Sequence, residues 1–298
     1  MRRETESRGT RRMGAFRGTR EASAFRGTRP AVGRIGSLPG WCREGVVIAA
    51  LAAVLLVVAP LLLPDPHRAD FAALLAGPSA AHPLGTDQLG RDLLSRLVHG
   101  ARLTIGLSVF AVLLTGTVGV AVGMAAAATG AFGRLVMRFV DVLAAIPVVL
   151  FGLLAAVALG PGIASLLVAV TAIAWTPFAR QAYLLTLAER GREYVTAAVA
   201  LGAGPAWVLV RHIARNLLPP LAAHTCVRFA STLLTISGLS FLGLGVQPPT
   251  AEWGAMVAEG REYLFTAPLV VLVPSAAVVL TAGAALWWGR RWDRTGAQ

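Results

Sequence analysis

Glu193-Tyr194-Val195-Thr196-Ala197-Ala198, followed by Leu201-Gly202-Ala203, is the stretch on which the architecture turns. It predicts a short helix, a break at Gly202 and a second short helix, because glycine permits a positive φ and close backbone approach. Ala197 and Ala198 keep the surface small enough for another protein to pack closely, and Arg190, Arg192, Arg211 and Arg215 surround it with positive charge. The competing interpretation is an ordinary solvated loop. In both cases the segment from about Leu184 to Pro220 connects two apolar runs and lies outside any bilayer they cross.

Those flanking runs set the class of the chain. Of 298 residues, 56% are hydrophobic and 14% charged, a balance too apolar for a water-soluble domain of this size. All 27 Lys+Arg residues are Arg. Without Lys the chain supplies neither the phosphate-binding amine of a P-loop nor a Schiff-base amine. The net charge of +12 falls beside apolar segments, where bilayer orientation explains it better than nucleic-acid binding does. Cys42 and Cys226 are read as free thiols rather than a disulfide or a metal site.

Working outward, Val46–Leu63 is expected to be a first membrane span and Leu103–Ala128 a second. Val142–Phe178 is too long for one span and is divided by Gly160-Pro161-Gly162 into a third and a fourth. A fifth is expected from Leu221 to Leu244 and a sixth from Leu264 to Trp288, bent by Pro268 and Pro274. The expected fold is therefore all-α and polytopic: a membrane domain over 45–289, an Arg-rich disordered cytoplasmic tail over 1–44, and a short cytoplasmic tail over 290–298. Arg concentrates in every second connection, which orients both termini toward the cytoplasm. Arg134, Arg138, Arg180, Arg190, Arg192, Arg211, Arg215, Arg290, Arg291 and Arg294 then lie inside.

Two further stretches fall on the outer side. In His82-Pro83-Leu84-Gly85-Thr86-Asp87-Gln88-Leu89-Gly90-Arg91-Asp92, Pro83 and Gly85 predict a turn, and Thr86 or Asp87 a helix cap. Leu89, Leu93, Leu94, Leu97 and Val98 form an apolar stripe, so an amphipathic helix is expected at the interface, with Asp92 and Arg96 paired one turn apart. His82 and His99 have no third ligand at useful spacing, so a metal site is not expected. In the other stretch, Gly243 and Gly245 allow tight contacts or an unwound turn, Pro248-Pro249 follows, and Trp253-Gly254 suits an interfacial anchor.

Taken together, these stretches resemble the permease subunits of ABC importers, in the dipeptide, oligopeptide and nickel branch. The resemblance rests on Glu193, Tyr194, Ala197, Ala198, Leu201, Gly202 and Ala203 for an ATPase-coupling loop. It rests equally on His82, Pro83, Gly85, Thr86, Asp87, Gly90, Arg91, Asp92 and Arg96 for a motif on the periplasmic side, and on Gly243, Gly245, Pro248, Pro249, Trp253 and Gly254 for an outer loop. Thr196 stands where the family often has Glu, and Ala214-Arg215 where it often has Leu-Pro, which suggests a helix break moved to Pro219-Pro220. The resemblance implies one half of a translocation pathway in the cell inner membrane, completed by a homologous second permease. Two ABC ATPase subunits would bind ATP and Mg, and an extracytoplasmic substrate-binding protein would deliver cargo. It implies no catalytic residue, cofactor or nucleic acid for this chain.

An ion-coupled carrier or channel is the alternative, and such proteins keep titratable groups within their spans. Here only Asp141, His224, Cys226 and Arg228 qualify. An intramembrane enzyme ranks last, since no nucleophile–base pair stands at recognisable spacing.

Overall fold

A chain withdrawn from water must satisfy its amides internally, and the charge-free runs of this sequence accordingly form helix. The computed structural model describes residues 58–296. The expected tail over 1–44 and most of the expected first span lie outside them.

The first long helix, α1 (Leu93–Ala128), has 36 residues and opens where Asp92 accepts the Ser95 amide at 2.7 Å. At the usual rise it extends about 54 Å. The separate interfacial helix expected over Leu89–Val98 is not formed. Leu93, Leu94, Leu97 and Val98 are the first turns of α1, while Leu89 stays in the preceding loop, 42% exposed. No proline interrupts this stretch, and Gly100 packs against Trp253, so the helix runs straight on into the span.

α2 (Ala131–Ala144) and α3 (Val148–Leu159) meet at a 78° bend. The single span expected to begin at Val142 is thus two helices, because Pro147 offers no N–H and disfavours helical geometry before it. Gly160-Pro161-Gly162 ends α3 as expected. α4 (Ile163–Ala174) and α5 (Thr176–Arg190) then follow one another across Trp175. α6 (Glu193–Ala200) and a short turn of helix at Pro205–Trp207 lead through a π-helical segment, Val208–Ile213, into α7 (Ala214–Phe241). Pro219 and Pro220 lie inside α7 rather than at a break, and the irregularity falls earlier, in the π segment. α8 (Trp253–Gly260) is short, and α9 (Leu269–Gly296) begins after Pro268, with Pro274 within it. The sixth span therefore starts five residues later than expected.

Among the described residues, three helical stretches are long and apolar enough to cross a membrane: Leu93–Ala128, Ile163–Arg190 and Leu269–Arg291. The bent α2–α3 pair makes a fourth if it counts as one span. α7 has the length, at 28 residues, but carries His224 and Arg228 and is not among them. Only helices and one isolated bridge, Thr86 to Asp92, occur among the described residues.

Packing follows side-chain size. A Cβ at Gly119 or Gly123 of α1 would collide with the α5 backbone at Trp175 and Ala179, so these two glycines let the helices approach closely. α7 and α9 share a core of Ala230, Leu233, Val278 and Ala282, into which α8 inserts Trp253 and Met256. A separate core of Val195, Val208, Ile213 and Leu217 ties α6 to the start of α7.

Candidate functional site

Each end of α1 bears one of the stretches singled out in the sequence. At its N-terminal end the loop over 82–92 folds tightly on itself. Gly85 donates to the His82 carbonyl at 2.9 Å, closing the turn at Pro83, and Asp87 and Leu93 donate to the carbonyls of Arg91 and Gly85. Asp87 caps this loop rather than a helix: its Oδ1 accepts the amides of Leu89 at 2.9 Å and Arg91 at 3.0 Å. The helix cap is Asp92, which also holds His82 at 2.9 Å. The expected Asp92–Arg96 pair does not form, because Arg96 points instead to Asp87 and to Glu259 of α8.

The result is a quartet of alternating charge. Arg91 Nε meets Asp87 Oδ2 and Arg91 Nη2 meets Glu259 Oε2, both at 2.6 Å. Arg96 Nη1 donates to Asp87 Oδ2 and, at 3.0 Å, to Glu259 Oε2, while Gln88 donates to Glu259 at 3.0 Å. All four charged side chains are nine-tenths or more buried. Two cations facing two anions offset the cost of leaving water, and the geometry fixes the 82–92 loop against α8.

A second buried carboxylate lies deeper. Glu252 caps α8 through the Ala255 amide at 2.9 Å and accepts from Thr104 of α1 at 2.9 Å. Trp253 is not an interfacial anchor: it is 4% exposed and its indole N–H donates to the Leu97 carbonyl at 2.9 Å. Gly243 closes α7, Gly245 packs on Ser240, Gly254 abuts Ser237, and Pro248-Pro249 lie exposed in the loop between. Glu259 and Glu252 were not singled out in the sequence. The available signal was an acidic residue directly before a short helix and another seven residues on.

At the other end of α1, α6 lies across the termini of α1, α5 and α7. Leu201, Gly202 and Ala203 donate to the carbonyls of Ala197, Val199 and Ala198 at 2.9–3.0 Å, closing the helix, and Gly202 takes φ +88° as that closure requires. Tyr194 donates to Glu189 of α5 at 2.6 Å and accepts from Asn216 of α7 at 2.9 Å. Burial and the bond to Glu189 raise the Tyr194 hydroxyl above the ordinary tyrosine range. Arg192 pairs with Glu189 at 2.8 Å, and Arg190 donates to the Ala127 carbonyl of α1. Glu193 occupies the first turn of α6, where its charge suits the helix dipole.

The outer face of this elbow is open. Tyr194, Ala197, Ala198, Leu201, Gly202 and Trp207 line a groove of about 560 Å³, with Leu201 89% and Trp207 54% exposed. Trp207 stands edge-on to His212 at 4.7 Å, which fixes the groove's far wall. Among the described residues no group of three or more His, Cys, Asp or Glu is placed to hold a metal ion.

The sequence profile described as binding-protein-dependent transport system inner membrane component matches residues 94–287, from the first turn of α1 into α9. The chain belongs to this family. The permease is 35% identical over 243 residues to the nickel transport system permease protein NikC of Escherichia coli K12, covering 80% of this chain and 87% of that one. It is 36% identical over 247 residues to the glutathione transport system permease protein GsiD of Pectobacterium atrosepticum, covering 80% and 82%. In fold the permease is similar to a chain of the inward-facing methionine ABC transporter MetNI, with TM-score 0.56 and 18% identity over 68% of this chain and 97% of that one. It is accordingly a multi-pass membrane subunit of an ABC importer.

Proposed function

We propose that the permease forms half of the translocation pathway for a peptide or for nickel, paired with a homologous second permease. The names of its relatives support these cargo classes. Six spans with both termini in the cytoplasm fit the Arg distribution, the first span lying before α1. In this reading the domain runs over 45–289 with basic tails on either side.

The observation that carries the proposal is the open groove along α6, a small-residue surface at the tip of a rigid elbow. One of two ABC ATPase subunits docks there, and the pair, binding ATP and Mg, shifts α6 by closing, as a unit with α5 and α7. At the opposite end the 82–92 loop, held to α8 by the charge quartet, forms with the 243–254 loop the seat of a substrate-binding protein. No observation favours an ion-coupled carrier. Asp141, the carboxylate that would serve one, pairs with Arg180 at 2.7 Å in an exposed position.

Purification of the tagged permease in mild detergent tests this directly. Two ATPase subunits and a second permease are expected to co-purify, and vesicles holding the complex to accumulate cargo only with ATP and binding protein. Uphill transport by this chain alone would overturn the proposal.

A further inference from the structure

Midway along α7, fourteen residues from its start and thirteen from its end, stands Arg228. Its side chain makes no hydrogen bond or ion pair among the described residues, and its Nε is buried without a partner. Arg180, by contrast, is engaged by Asp141, and Arg91 and Arg96 by the quartet. A guanidinium left without a counter-charge at this depth is costly unless a ligand supplies one.

Arg228 lines a cavity of about 370 Å³ together with Pro147, Val148, Thr176, Thr232 and Thr235. None of the cavity's lining residues is acidic. Past the 78° bend between α2 and α3, Pro147 and Val148 at the start of α3 line this cavity, and no side chain caps that helix start, which carries the positive end of the helix dipole. One turn before Arg228, His224 also leaves its Nε2 buried and unpartnered. Thr176 and Thr235 donate their hydroxyls to the Ile173 and Ser231 carbonyls, so the guanidinium, the uncapped helix start and Thr232 are the donors toward the cavity, whose volume is that of a small-molecule site.

We infer that this cavity is an anion-selective station on the translocation pathway, where Arg228 takes the carboxylate of passing cargo. The inference rests on the importer reading for its place in a pathway, while the site itself stands on the geometry. Cargo bearing a free carboxylate is favoured there over a bare cation. A peptide, or a metal ion carried inside an organic acid chelate, thus fits the site better than hydrated metal does.

The test uses the assembled complex in detergent, with Cys42→Ser and Cys226→Ala in this chain and a single reporter, Thr235→Cys, in the cavity. Its reaction rates are measured with two thiosulfonate reagents of similar size, anionic sulfonatoethyl and cationic trimethylammonioethyl. A guanidinium two helical turns away is expected to change the anion-to-cation rate ratio by about fivefold. Arg228→Gln should therefore lower the ratio by that factor, and Arg228→Lys should retain it. An unchanged ratio in Arg228→Gln overturns the inference, since it means that the charge is already neutralised by a carboxylate of the second permease. Co-purification of the ATPase subunits, scored on the same samples, reports separately on the importer reading, so either can fail alone.

Discussion

The two ends of α1 are built on opposite plans. At one, four charged side chains from the 82–92 loop, α1 and α8 are sealed from water and pair with one another. At the other, alanines, a glycine and a bare leucine face outward around an open groove. A surface that must hold its own loops in shape spends its polar groups internally, and one that must receive a partner leaves small apolar groups uncovered. If the groove is the docking surface proposed above, the contrast should separate residues whose loss unfolds the permease from residues whose loss silences it.

Substitutions can break that contrast. The largest effect is expected from Ala198→Arg, which fills the groove: ATP-driven uptake should fall to background while the variant inserts and unfolds thermally as the parent does. Normal uptake would remove the groove from the mechanism. Arg96→Ala should act the other way, costing about 3–5 kcal/mol by leaving Asp87 and Glu259 buried with one cation between them. Thermal unfolding in detergent measures this, and a loss below about 1 kcal/mol would mean that water reaches the quartet.

Smaller changes sharpen the comparison. Gly202→Ala forces a side chain into a left-handed backbone at φ +88°, at a cost of roughly 1–2 kcal/mol, although its Cβ would meet no neighbour. It should weaken coupling more than it weakens the fold, seen as ATP hydrolysis continuing with reduced uptake. The smallest effect concerns Tyr194, whose hydroxyl is raised above its ordinary value of 10.0 by burial and then by Glu189. A raised folded-state value stabilises the neutral form, so its contribution is complete below pH 10 and is lost as pH rises through the folded value. Tyr194→Phe should therefore flatten stability against pH only in that alkaline range, and phenolate absorbance of the parent should show one late-titrating tyrosine.

Much of this was legible in the sequence, for identifiable reasons. The elbow at α6 was readable because Gly202 and the small residues around it act locally, within one or two turns. The division at Gly160-Pro161-Gly162 was readable for the same reason. The partner of Arg96 was not, because Glu259 lies 163 positions away and only packing of α8 on α1 brings it near. The local candidate, Asp92, had the right spacing but was drawn off by capping the helix and by His82. The same limit hid the burial of Trp253, whose indole finds the Leu97 carbonyl across the bundle. Pro219-Pro220 misled because α7 accommodates both prolines, the ladder being adjusted upstream in the π segment instead.

The uninterrupted length of α1 has a geometric corollary. One end is clamped by the quartet and the other is held by Arg190 at the end of α5, just ahead of α6, with about 54 Å of helix between. A rod of that length has a large mechanical gain: a tilt of about 5° pivoting at one extremity sweeps the far extremity through roughly 5 Å. Displacements too slight to see at the clamp thus become nearly a full helical pitch at the elbow.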